Sequence, residues 1–300
     1  MVARQQEGAG VSNLPGLQQT RVAVVGLGLM GGSLALALQG RCLGVDGVDR
    51  DSAAVDQALE MGAIQRGSTD PVQILPRSGL VILATPVLSI IDYLGRLPEI
   101  HPGAPVVMDL GSTKVEIMAA MERLPQRFEP VGGHPMCGKE KLSIANAEAG
   151  LFRGAAFVIS CLPRTTTRAF QLAQELAQEI GARPLYLEPE VHDRWTAATS
   201  HFPYLLSTAL AGSTPLEVEP LVASGFRSTA RLAGTAPRMM LDILLTNRQN
   251  LLARIQHFQD ILGEMERSLE TNDIPGLQQL LEKGAASYED LVVKTNRGGG

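Results

Sequence analysis

The segment RVAVVGLGLMGGSLALAL runs from a β-branched strand, Arg21 to Val25, directly into Gly26-x-Gly28-x-x-Gly31 and then into an apolar helix. Strand, glycine loop and helix in that order form the opening unit of a dinucleotide-binding βαβ fold. Gly26 allows the tight turn and Gly28 lets the backbone approach a pyrophosphate. Gly31 permits close packing of a helix whose first amides, from Leu29, Met30 and Gly31, face the anion. The next strand-like stretch, CLGVDGVDR, ends at Asp49. That is close to the ~20-residue spacing at which a carboxylate accepts from the adenine-ribose hydroxyls. A carboxylate there favours NAD because it repels a 2′-phosphate. The neighbouring Arg50 has the charge to meet one, so NADP stays open. Asp46 reads more readily as a capping or solvated carboxylate. A third edge is GLVILATPV, where a buried strand ends at Ala84 and turns at Thr85-Pro86. Ligands of open parallel sheets bind at the carboxyl ends of strands, so this turn either lines the cofactor crevice or is an ordinary proline turn.

From Arg21 to about Glu188, RVAVV, GLVILAT, APVVMDL, AFVIS and RPLYL alternate with helix-compatible stretches, which implies parallel βαβ units. After Pro189 the alternation gives way to Leu-, Ala- and Met-rich amphipathic stretches. One runs from about Pro237 to Leu269, with Met240, Ile243, Leu244, Leu251, Ile255, Phe258, Ile261 and Leu262 at mainly helical spacings. The expected architecture is an α/β Rossmann-like dinucleotide-binding domain over residues 20–188, followed by an all-α dimerisation domain over 189–296. Residues 1–19 form a disordered leader. Apolar stripes of that length exceed what one small helical domain buries against itself, so a homodimer is expected.

Composition narrows the function classes. In 300 residues, 45% hydrophobic content supports real cores, and a net charge of −5 lacks the basic footprint that nucleic acid requires. The longest apolar runs fall far short of the roughly 20 residues of a membrane span. Cys42, Cys137 and Cys161 are widely separated, which suggests neither a disulfide framework nor a metal cluster. A protein of the reducing cytoplasm with no metal, nucleic-acid or membrane partner fits best, which leaves a small molecule as the expected partner.

Two polar segments lie where strands should end: DLGSTK, Asp109 to Lys114, and GGHPMCGKE, Gly132 to Glu140. Taken with GLGLMGGSLA, with HDRWTAATSHFP from His192 to Pro203 and with SGFRSTARLAG from Ser224 to Gly234, they closely resemble the prephenate and arogenate dehydrogenases of tyrosine biosynthesis. These five motifs stand in the family's order from about Arg21 to Glu289. The resemblance implies that His134, in Gly-His-Pro, is the catalytic histidine that takes the proton of the substrate's ring hydroxyl. Ser112 would bind the same hydroxyl beside the nicotinamide, and Arg231 would bind a substrate carboxylate. His201, Glu140, Arg227 and Tyr204 would shape the substrate pocket.

Elementary chemistry agrees. Oxidising a secondary alcohol removes the hydroxyl proton as hydride leaves the same carbon, and a neutral imidazole is a suitable acceptor. Following two glycines and preceding Pro135, His134 belongs to a constrained loop rather than an apolar face. Arginine's planar fork suits a carboxylate. His192, followed by Asp193-Arg194, is read as a cap or solvated residue as readily as a ligand contact, and Lys114 divides evenly between an orienting and a solvated part. The run His201-Phe202-Pro203-Tyr204 departs from the family's usual Ser-His-Leu-Pro-His. Ser228 stands where an acidic residue is frequent, which disfavours arogenate because its amine is cationic. Three rival readings are arogenate as substrate, a β-hydroxyacid dehydrogenase, whose catalytic lysine is not found here, and a nucleotide-sensing regulator without turnover.

Overall fold

The structure is a computed structural model and describes residues 15–139, 141 and 143–293. Eight strands form one sheet in the order β3-β2-β1-β4-β5-β6-β7-β8. They are β1 (Arg21–Val25), β2 (Gly44–Val48), β3 (Arg66–Ser68), β4 (Leu80–Leu83), β5 (Val106–Asp109), β6 (Glu129–Pro135), β7 (Ala156–Ser160) and β8 (Arg183–Tyr186). Helices α1 (Leu29–Ala37), α2 (Ser52–Glu60), α3 (Val87–Ile100), α4 (Val115–Glu122) and α5 (Thr167–Glu179) connect them. The central strands read as continuous Val, Ile and Leu because both faces are covered. Val22, Val24, Leu80 and Ile82 join one apolar cluster, while Ala23, Val25, Val81 and Leu83 join the other.

The βαβ expectation holds through β6 and then changes. Among the described residues between β6 and β7 the one helical element is a 3₁₀ turn, Ile144–Asn146, and β7 lies antiparallel to β6. A parallel return needs a crossover of a dozen or more residues, usually a helix, whereas an antiparallel one does not. Gly132, Gly133 and His134 pair with Ser160, Ile159 and Val158. His134 therefore sits on a strand, not on the constrained loop expected from its glycines. The leader expectation also needs correction at its end. Leu17 is buried in the first cluster and its amide donates to Glu175 Oε2 at 2.7 Å. The rest of that segment, 1–14, lies outside the described residues.

After the sheet come α6 (Pro189–Thr196), a π-helical turn (Ala197–His201), α7 (Phe202–Ser213), α8 (Ser224–Ala230), a 3₁₀ turn (Arg231–Gly234), α9 (Pro237–Thr246), α10 (Arg248–Glu270) and α11 (Ile274–Tyr288). The chain packs as two units, one up to Arg248 and one from Gln249 on. The change to helices at Pro189 and the break in packing after Arg248 are thus different boundaries, because α6 to α9 pack on the sheet body. Tyr204, Met240 and Ile243 enter its second cluster, each burial contributing roughly 1.5–3 kcal/mol. Asp242 accepts from Leu88 N at the start of α3, and the buried hydroxyls of Thr246 and Thr113 meet at 2.9 Å. The stripe from Pro237 to Leu269 is two helices, broken at Asn247.

In the second unit, α10 ends where Asn272 takes a left-handed φ of 54°, and Asp273 caps α11 by accepting from Gly276 N at 3.1 Å. Leu252, Leu262, Leu269, Ile274 and Leu281 are exposed along these helices in the single chain. No helix of the described residues is long and apolar enough to cross a membrane.

Candidate active site

The glycine loop lies at the point where the strand order reverses between β1 and β4, the place where ligands of such sheets bind. Gly26 has φ 94°, and a Cβ there would stand 2.8 Å from Ala84 O. A Cβ on Gly31 would stand 1.8 Å from Gly26 O, so no side chain fits where α1 crosses the loop. Gly28 begins α1, and no side chain caps its N-terminus. Leu29 is buried and Met30 half-buried, so what Leu29 can offer an anion is its amide. At the tip of β2, Asp49 accepts from Leu27 N at 2.7 Å and Asp51 N at 3.0 Å, which ties it to the glycine loop. Arg50 beside it is exposed. Asp46 is buried and paired with Arg21 at 3.2 Å, so it is neither the cap nor the solvated carboxylate expected, but a structural one. The Thr85 hydroxyl is buried without a hydrogen-bond partner, next to exposed Pro86. An open helix terminus, a glycine cradle, a carboxylate at the β2 tip and an unpartnered hydroxyl at the β4 tip together fit a dinucleotide.

A second constellation grows from the tips of β5 and β6. Asp109 ends β5 fully buried and forms an ion pair with fully buried Lys114. Its carboxylate also accepts from Gly111 N at 2.8 Å and Gly133 N at 3.2 Å. One side chain therefore holds the loop carrying Ser112 against the strand carrying His134. Ser112 is half-buried in that loop.

Helix α6 completes the site. His134 Nδ1 lies 2.8 Å from His192 Nε2, and His192 Nδ1 lies 2.8 Å from Asp193 Oδ1. Asp193 further accepts from Lys114 N at 2.7 Å and Val115 N at 2.9 Å, capping the positive end of α4. These partners assign the protons. A carboxylate accepts, so His192 carries its proton on Nδ1 and offers a lone pair at Nε2. His134 must then donate from Nδ1, which leaves its Nε2 with a lone pair. Among the described residues no protein group bonds that Nε2. Burial holds the His134 pKa well below the usual imidazole range, helped by the charges of His192, Lys114 and His201. Burial likewise lowers His192 against the opposing pull of its Asp193 hydrogen bond. The site thus presents a neutral imidazole base with a fixed tautomer.

His201 closes the π-helical turn and is buried, its pKa pushed down to about 4 by burial. A π turn carries an extra residue, which shifts the phase of the residues beyond it and is frequent at functional sites. Asn247 donates from Nδ2 to Asp193 O at 2.7 Å and lies 3.1 Å from His201 Nδ1.

The structure does not gather every residue that the resemblance named. Tyr204 packs in the second apolar cluster instead of joining His134, because its position on α7 faces the sheet body. Arg227 and Arg231 are exposed, Arg227 on α8 and Arg231 on the 3₁₀ turn that follows, and Arg227 donates to Val222 O at 3.4 Å. Glu140 lies outside the described residues. Burial pushes the Cys137 thiol up to about 11, which removes it as a nucleophile. Sequence reading undervalued His192 and Asp193, although an adjacent His-Asp pair beside a polar strand end is a usable signal. Asp109 and Asn247 carried none, since Gly133 N for the first and Asp193 O and His201 for the second come within reach only through the fold.

Comparison with known proteins finds relatives along most of the chain. The family model for the prephenate dehydrogenase nucleotide-binding domain matches residues 34–186, and that for the prephenate dehydrogenase dimerization domain matches 188–283. Prephenate dehydrogenase of Bacillus subtilis is 32% identical over 92% of this chain and 77% of its own length. A crystal structure of prephenate dehydrogenase from A. aeolicus, in complex with hydroxyphenyl propionate and NAD+, superposes with a TM-score of 0.83 at 26% identity, covering 92% of this chain and 99% of that one. Synechocystis arogenate dehydrogenase superposes with a TM-score of 0.77 at 27% identity, covering 91% of this chain and 100% of that one. With both family models matched in succession along most of its length and an NAD-type crevice beside a histidine base, this chain belongs to the prephenate dehydrogenase family of NAD-dependent oxidoreductases.

Proposed function

We propose that the chain catalyses oxidative decarboxylation of prephenate to 4-hydroxyphenylpyruvate with NAD, as a homodimer in the cytoplasm. The observation that carries the reading is the chain His134–His192–Asp193, which leaves the lone pair of His134 Nε2 open in a chain that also carries a dinucleotide-binding loop. Bound NAD supplies the acceptor for the hydride. His134 Nε2 takes the proton of the ring hydroxyl as the carbon beneath it gives up hydride. The bond from the ring to its carboxylate then breaks, carbon dioxide leaves, and the electron pair enters the ring, which becomes aromatic. His134 returns its proton to the ring oxygen, and the site is restored. Ser112 holds the hydroxyl, and Arg231 positions a carboxylate without gripping the one that leaves. A leaving carboxylate loses its charge on the way to product, so tight ground-state pairing would slow the reaction.

Prephenate is favoured over arogenate by Ser228, whose hydroxyl donates to Gly225 O at 3.0 Å and offers a cationic amine no counter-charge. NAD is favoured by Asp49 at the β2 tip. Exposed leucines along α10 and α11 support the homodimer, and three unpaired cysteines suit a reducing compartment. Steady-state NADH and NADPH formation by the purified full chain with prephenate and with arogenate tests the reading. Prephenate with NAD should give the highest kcat/KM. Preference for arogenate would move the assignment to the sister activity, and NAD binding without turnover of either substrate would favour a nucleotide-sensing role.

A further inference from the structure

We infer that Asn247 is a positioning residue that fixes His201 as a hydrogen-bond donor, so that the pocket presents two imidazoles of opposite polarity: His134 accepting and His201 donating. The inference rests on the reading of both rings as lining one substrate pocket.

The argument starts at a backbone carbonyl. Asp193 O can only accept, so the Asn247 atom 2.7 Å from it is the amide nitrogen and not the oxygen. That nitrogen has two protons. One goes to Asp193 O, and the other points to His201 Nδ1 at 3.1 Å. His201 Nδ1 must therefore be the lone pair, and a neutral ring then carries its proton on Nε2. Burial keeps the ring neutral. Among the described residues Nε2 has no protein partner. Its N–H is available to an acceptor on a ligand, a carboxylate or carbonyl oxygen.

The same aspartate thus orders both rings. Through its carboxylate it sets His192, and through His192 the lone pair of His134. Through its carbonyl it orients Asn247, and through Asn247 the N–H of His201. Asn247 can do this because the helix breaks there: its backbone sits at φ −120° between α9 and α10, and its side chain turns inward and is buried. A substrate with a hydroxyl at one end and an acidic or carbonyl oxygen at the other would be read in one orientation only. Two rings of the same polarity would not distinguish its ends.

The test is ¹⁵N-histidine NMR on the full-length protein without ligand, with His201 assigned by the signals lost in His201→Gln. The expected pattern for His201 is a protonated Nε2 and a bare Nδ1. In Asn247→Asp the carboxylate accepts instead of donating, so the proton should move to Nδ1. KM for the substrate should then rise about tenfold or more, with a smaller fall in kcat, because a lone pair would face an acceptor. A protonated Nδ1 in the parent protein overturns the inference even if no variant folds. So does an unchanged KM in a variant whose tautomer has reversed. Absence of turnover in the parent protein would instead defeat the functional reading, and the NMR pattern would still decide the tautomer.

Discussion

His134 and His192 meet ring to ring, Nδ1 of the first 2.8 Å from Nε2 of the second, although one lies on β6 and the other on α6. Their rings are close to perpendicular, at 70°, with centroids 5.0 Å apart. Because His192 is in turn anchored on Asp193, the direction of every proton in this chain is determined by a carboxylate two residues removed from the substrate.

If His192 sets the tautomer of His134, then His192→Ala should lower kcat by roughly 10² while KM changes little, and His134→Asn should lower it by roughly 10²–10⁴. The double variant should be no worse than His134→Asn alone, since both act on one lone pair. Losses that multiplied in the double variant would show that His192 has a separate role.

The pH profile follows from burial. His134 must be neutral to take a proton, and its pKa is held below the usual imidazole value, so the acid limb of kcat/KM should lie below pH 6.5. Stability has the same sign. An unfolded His201 binds a proton near pH 6.5 and the folded one only near about 4, so the unfolded state gains protons first as pH falls. His201 therefore contributes on the order of 3 kcal/mol above pH 6.5, lost progressively down to about pH 4. Denaturant titrations across that window should show the loss in the parent and a shallower one in His201→Gln.

Lys114→Met leaves Asp109 buried without its cation, and breaking such a pair from one side costs about 3–5 kcal/mol. Adding Asp109→Asn should recover part of the loss, because an amide oxygen can still accept from Gly111 or Gly133 without an unpaired charge. A melting temperature in Lys114→Met equal to that of the parent would show that the pair is not a structural anchor.

At the cofactor end, Asp49→Asn keeps an oxygen for Leu27 N but removes the charge that repels a 2′-phosphate, leaving Arg50 free to meet one. The ratio of kcat/KM for NADP over NAD should rise about tenfold or more, corresponding to about 1.4 kcal/mol. An unchanged ratio would mean that Asp49 serves only the glycine loop.

What the sequence by itself determined was whatever depends on neighbours along the chain. The run RVAVVGLGLMGG specifies strand, turn and helix because Gly26 takes a left-handed φ of 94° and a Cβ on Gly31 would run into Gly26 O, and both constraints act between near neighbours in the chain. Asp49 was legible for the same reason, lying at the tip of the very next strand, and the polar tips of β5 and β6 marked Ser112 and His134. Only tertiary structure decided which groups surround them. The antiparallel return of β7 drew Gly132 to Pro135 into a strand, since pairing with β7 supplied the hydrogen bonds that a loop would have lacked. Asp109, Asp193 and Asn247 acquire their roles largely from backbone groups of distant elements, Gly133 N, Lys114 N and Asp193 O, and almost every residue type offers those groups alike. A periodic apolar pattern marked one amphipathic stretch of mainly helical spacing from about Pro237 to Leu269. The break at Asn247 was invisible to it, because the hydrogen bonds that hold that side chain inward come from Asp193 and His201, 54 and 46 residues earlier in the chain.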